Sequence, residues 1–198
     1  MTQDLIAQRL RQAELHDEVR ARFPNTAYGT AGFGAALVPV ATRLGAIARA
    51  MTDSTDTAPV EIARSWMWFG DALFDLAQGG HVPFAQAIAA YREADPYVRV
   101  ARDPVLAAKR DGNLANILLR STPDVPTLRE VIARYEAAIR VLGVATTVIY
   151  QRELATARNQ LVRSHSALPM ALPERLRSSE RGYGMRQRLR AAYSRTRT

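Results

Sequence analysis

Cysteine is absent from the 198 residues, which removes disulfides, iron–sulfur clusters, cysteine zinc sites and thiol nucleophiles together. Lysine is nearly absent as well, because Lys109 stands alone among 27 basic residues and all the others are arginine. Histidine occurs as His16, His81 and His165, too widely spaced for a local paired-histidine metal motif. Long apolar runs are missing: the longest, 31–41, ends at Thr42 and Arg43, whereas a membrane span needs ~20 residues. The first residues carry charge from Asp4 onward with no apolar stretch of the secretory kind, so no signal peptide is expected and the cytoplasm is the default setting. No segment shows the β-branched alternation of a sheet. Catalytic reagents are few and scattered, so no enzyme activity, metal, cofactor or membrane partner is expected, and a helical interaction scaffold is the remaining class.

What is present suits a soluble globular chain, with 47% apolar and 23% charged residues and a length that favours one domain. The charge of +8 is uneven. The segment 174–198 holds eight arginines, 175, 177, 181, 186, 188, 190, 195 and 197, against Glu174 and Glu180, and so accounts for +6. Guanidinium groups bind phosphates and carboxylates bidentately, which makes Arg175, Arg177, Arg181, Arg186, Arg188 and Arg190 candidates for nucleic acid or an acidic partner. The other reading is a solvated, arginine-rich tail. The chain divides into a helical domain over 1–163 and a proline-containing linker and basic tail over 164–198, with the linker loop at 164–173.

Periodicity predicts helices nearly throughout. Phe33, Leu37, Val40, Leu44, Ile47 and Met51 follow steps of four and three along one face, and Pro39 is expected in that helix's first turn. An earlier helix is expected over 4–22, and Tyr150, Leu154, Ala157 and Leu161 mark a closing helix. Between them the chain repeats. Ala58-Pro59-Val60 aligns with Asp103-Pro104-Val105 at an offset of 45, and so do Gly70 with Ala115 and Leu73 with Leu118. Past a shortened Gly/Pro-rich loop the offset is 44, pairing Phe84 with Leu128, Tyr91 with Tyr135 and Ala94 with Ala138. Each unit, about 58–102 and 103–142, reads as helix, turn, helix, with helices near 60–77, 84–95, 104–119 and 127–142.

The run Trp66-Met67-Trp68-Phe69-Gly70-Asp71-Ala72-Leu73, followed by Ala87, Tyr91 and Ala94, resembles the tetratricopeptide repeat in its order of Trp, Leu-Gly, Tyr and Ala. The second unit keeps Leu114, Ala115, Leu118, Tyr135 and Ala138 and has Asp111 where the first has Trp66. The unit is longer than the family's 34 residues, which resembles the long-loop repeats of multidomain bacterial signalling proteins. The resemblance implies an all-α helical-hairpin solenoid with capping helices at both ends. It also implies a concave groove that binds a peptide or partner protein, a separately encoded effector among the possibilities.

On that resemblance the groove-facing positions are Arg64, Met67, Asp71, Phe74 and Asp75 in the first unit and Lys109, Gly112, Asn116, Leu119 and Arg120 in the second. Spacing independently puts Arg64, Asp71 and Asp75 on one helix face, and likewise Lys109, Asn116 and Arg120. The second set could hold a carboxylate, while Asp71 and Asp75 oppose that use; a solvated or internally ion-paired face is the competing reading. Trp66 is expected in the core. Trp68, on another face, either packs on a neighbouring helix or serves as a binding anchor. Gly29-Thr30-Ala31-Gly32-Phe33-Gly34 lacks the order of a phosphate loop and reads as a turn, and Ser164-His165-Ser166 is assigned no role.

Overall fold

Helix starts follow the proline and acceptor chemistry of the chain. The structure, a computed structural model, describes residues 2–121, 124–143 and 148–167. Proline opens α3 (Pro59–Gln78) and α5 (Pro104–Arg120), where its missing N–H is harmless. Side chains cap three helices. Thr30 Oγ1 accepts from Phe33 N–H at the start of α2 (Ala31–Asp53), and Asp103 Oδ1 accepts from Val105 and Leu106 N–H at α5. Asp124 Oδ1 accepts from Thr127 N–H at α6 (Val125–Leu142), and hydrogen bonding from the Thr127 side chain, together with that backbone bond, holds its carboxyl below the usual range. The left-handed Arg102, φ 51°, ends α4 (Phe84–Ala101). With α1 (Thr2–Arg22) and α7 (Val148–Ala167) the described residues form seven α-helices, one 3-10 turn at Asn25–Ala27 and no strand, so the protein is all-α.

Three expectations about boundaries are corrected. Pro39 lies in the interior of α2, because Thr30 caps the helix about two turns earlier than expected and the carbonyl freed by Pro39 belongs to exposed Ala35. For the same reason α4 continues through Pro96, whose freed carbonyl is on exposed Arg92. The closing helix runs to Ala167, beyond the expected loop start at Ser164.

Each helix packs on the next in sequence, and α1, α3, α5 and α7 also touch successively along one side. Two apolar clusters fill the interior. The smaller joins Tyr28, Phe33, Leu37 and Leu44 to Ala72 and Leu76, and the larger runs from Ile47 and Met51 through both hairpins to Leu154 and Ala157. α2 is long and apolar enough to cross a membrane by length and composition, yet half of that stretch is buried inside the fold, including Phe33, Leu37 and Met51. Trp66 is in the core as expected, its indole N–H donating to Thr52 Oγ1 at 3.0 Å.

The two hairpins share one internal device. Tyr91 and Tyr135 are fully buried, and each phenol donates to the side chain following the small residue of the partner helix. Tyr91 donates to Asp71, next to Gly70, and Tyr135 donates to Asn116 Oδ1 at 2.6 Å, next to Ala115. Burial pushes both phenols well above their ordinary pKa, so they remain neutral donors. A Cβ at Gly70 would lie 2.4 Å from the Tyr91 ring, and one at Gly112 would lie 2.3 Å from the Tyr150 ring.

These contacts predict unequal penalties. Gly70→Ala meets a ring enclosed on all sides and should cost about 1–3 kcal/mol despite the better helix propensity of alanine. Gly112→Ala meets the Tyr150 ring of α7, which is only half-buried, and should cost less. Denaturant titration of the two variants measures the difference; equal stability would disprove the enclosed contact at Gly70.

Candidate interaction groove

The side formed by α1, α3, α5 and α7 carries most of the polar chemistry. Arg9, Ala13, His16 and Arg20 recur at steps of four, three and four along α1, and this stripe meets the acidic side of α3. Arg9 is buried, its guanidinium 2.6 Å from Glu61 Oε2, donating to the Glu61 carbonyl and lying 5.8 Å from the Trp68 ring centre. His16 Nε2–H donates to Asp75 Oδ2 at 2.8 Å, and Arg20 lies 3.3 Å from the same oxygen.

Next to Asp75 a chain of hydrogen bonds crosses four helices. Tyr150 on α7 donates to Asn113 Oδ1 at 2.9 Å, Asn113 Nδ2 on α5 donates to the Tyr91 phenol at 3.0 Å, and Tyr91 on α4 donates to Asp71 on α3. Desolvation at this seam raises the Asp71 carboxyl to about 6, opposed by the Tyr91 hydrogen bond and by the charges of His16 and Arg20 and reinforced by Asp75. Burial also raises the Tyr150 phenol.

The expected groove positions therefore separate. Arg64, Met67 and Lys109 come together in one groove of about 340 Å³ between α1, α3 and α5, completed by Arg9, Leu10, Trp68, Asp103, Val105 and Leu106. Asp71 is engaged in the four-helix relay, and Asp75 is buried beneath α1. Asn116 accepts from Tyr135, and Leu119 is buried in the larger cluster. Gly112 lies under Tyr150. Arg120 stacks over Phe74 at 5.8 Å and reaches Glu153 at 3.6 Å, so this pair closes the α5–α7 side. The arginines at 175, 177, 181, 186, 188 and 190 lie outside the described residues.

The groove has an apolar floor and a cationic rim. Met67 and Leu106 are buried beneath it, Trp68 is half-buried, and Leu10 and Val105 are each 46% exposed on opposite walls. Arg64 pairs with Glu61 at 2.8 Å. Lys109 has no ion-pair or hydrogen-bond partner among the described residues. Trp68 packs against α1, under the Arg9 guanidinium, as one of its two expectations has it, and its ring also lines the groove. Sequence reasoning missed Arg9, Leu10, Val105 and Leu106; the four-three-four stripe on α1 carries a signal for Arg9 alone among them.

A second cavity, about 380 Å³, lies between α4, α5 and α6 and is lined by Asp95, Arg99, Arg110, Asp111 and Arg134. Its charges are mostly spent on one another: Arg110 bonds Asp95 at 2.7 Å, and Arg134 bonds Asp111 at 2.6 Å and Glu130 at 2.9 Å. Among the described residues no group of three His, Asp or Glu is arranged to hold a metal ion. No protein-family model, curated protein or solved structure matches the chain.

The raised Asp71 carboxyl predicts a pH-dependent stability term. The unfolded chain ionises near 3.8 and the folded one near 6, so the folded state holds the extra proton between these values. This contribution is complete below the lower value and is lost as pH rises through the window. Asp71→Asn stays neutral and can still accept from Tyr91. Relative to wild type it should gain on the order of 1–3 kcal/mol between pH 4 and pH 7. Denaturant titrations at both pH values check this; a pH-independent difference would rule it out.

Proposed function

We propose that this chain is a non-enzymatic, tetratricopeptide-like adaptor that binds a peptide or partner protein in the groove between α1, α3 and α5. The observation that carries the reading is the convergence of Arg64, Met67 and Lys109 on an open, partly apolar groove. Neighbour-on-neighbour packing supports a solenoid built of helical hairpins, as does the equivalent tyrosine bond in both units. α1 with α2 then acts as a leading hairpin and α7 as the closing helix. The exposed Leu10 and Val105 supply apolar contact area, and the half-buried Trp68 supplies an anchor of the kind enriched at interfaces. A cytoplasmic setting goes with this reading.

The test separates the groove from the arginine tail. A double variant Leu10→Arg, Val105→Arg places two bulky cations on exposed walls without disturbing the core, and a second variant deletes 174–198. The adaptor reading expects a defined protein partner, purified after capture, to bind wild type and the tail deletion alike and to lose at least tenfold in affinity for the double variant. Tight binding of duplex DNA or RNA at physiological salt, lost on tail deletion and falling steeply with added salt, together with no groove-dependent protein partner, would replace it with a phosphate-binding reading.

A further inference from the structure

The charges around the groove define what it can take. Arg9 and Arg64 share the single carboxylate of Glu61, at 2.6 and 2.8 Å, so two guanidinium groups are balanced by one anion. Asp103 lies on the α5 wall, but its Oδ1 accepts from two backbone N–H groups, and its charge faces the positive end of that helix. Lys109, nearly two turns further along α5, is exposed and unpaired among the described residues. The rim therefore has a surplus of positive charge, in part on a side chain with no internal role. Beneath it, Leu10 and Val105 stand exposed on facing walls above Met67, Trp68 and Leu106.

We infer that the groove recognises an acidic segment of another protein, seating an apolar side chain between Leu10 and Val105 while an adjacent carboxylate pairs with Lys109 and Arg64. This rests on the adaptor reading and names its ligand class. The floor can bury one or two large apolar side chains, and the cations fix their register by pairing with neighbouring acids. Charge also excludes the chain's own C-terminal segment as occupant, because eight arginines against two glutamates would be brought to a cationic rim.

The experiment uses the full chain and two sets of fluorescein-labelled synthetic peptides. In one set Leu or Phe is flanked by Asp and Glu; in the other the acids are replaced by Lys. Anisotropy reports binding, and quenching of Trp68, isolated by the Trp66→Phe background, reports occupancy of the groove. If Trp66→Phe lowers stability, the anisotropy arm alone decides. The acidic set should bind at least tenfold more tightly than the basic set, weaken with salt, and lose on the order of tenfold with Lys109→Glu, which should in turn improve the basic set. If both sets bind equally, and the Leu10→Arg, Val105→Arg variant abolishes both, the groove stands and the acidic preference is wrong. If neither set binds, or binding ignores every groove substitution, the groove reading itself fails. Self-association that depends on Leu10 and Val105 would identify a second copy as the occupant and overturn the proposal.

Discussion

An aromatic ring laid against a position without a side chain is the constraint on which this fold depends. Tyr91 lies on Gly70 so closely that a single added carbon would enter the ring, and this brings α3 and α4 together over their length. Close approach alone would strand a phenol in the interior, where an unpaired hydroxyl costs about 1–3 kcal/mol. The residue after the glycine supplies the acceptor, Asp71 in the first hairpin and Asn116 in the second. The same two residues thus set the distance between helices and satisfy the polar atom which that distance buries. Substituting asparagine for aspartate in the second unit preserves the acceptor and avoids the desolvated charge.

That charge has consequences for the rest of the α3 face. Asp71 and Asp75 are one turn apart, and their mutual repulsion would grow in a partly dry seam without nearby cations. α1 provides the cation Arg20 and a hydrogen-bonding ring, His16, and both reach Asp75. Arg9, two turns before His16 on α1, does the same for Glu61. α1 is consequently held by ion pairs as much as by Leu5, Ile6, Leu15 and Val19, its apolar contacts with the two clusters. A helix whose buried residues are Arg9, Gln12, Ala13 and His16 looks unsuitable for a core until the acidic side of α3 is taken into account.

This explains what was legible in the sequence. Helical spacing and the 45- and 44-residue offsets gave the hairpins, because apolar periodicity and the Gly70–Tyr91 and Ala115–Tyr135 pairings are local or nearly so. The groove was only partly legible. Arg64, Met67 and Lys109 meet, but Asp71, Asp75 and Asn116 share their faces and are consumed by partners from α1 and α4 or by Tyr135, and periodicity cannot say which exposed-looking positions a distant helix will cover. Pro39 misled for a physical reason, and α4 runs through Pro96 for the same one: each proline sits where its freed carbonyl faces water, which removes most of the penalty that makes proline a helix breaker.

The relay and the groove are mechanically one unit. Asp71 is four residues from Met67 and Asn113 is four residues from Lys109, so each relay residue lies one turn, about 6 Å, along the same helix face from a groove residue. The bond from Asn113 to Tyr91, and through it to Asp71, ties α5 to α3 at that point, while Tyr150 buttresses Asn113 from α7. The Met67 and Lys109 walls are therefore tied together by side chains that do not line the groove. A groove built this way is pre-organised by the four-helix relay, and its width depends on Asn113 keeping its carbonyl toward Tyr150 and its amide toward Tyr91. Ionisation of Asp71 strengthens the acceptor at one end of that chain and adds a desolvation cost at the same place, so the charge state of one carboxyl acts on the packing of α3 against α4.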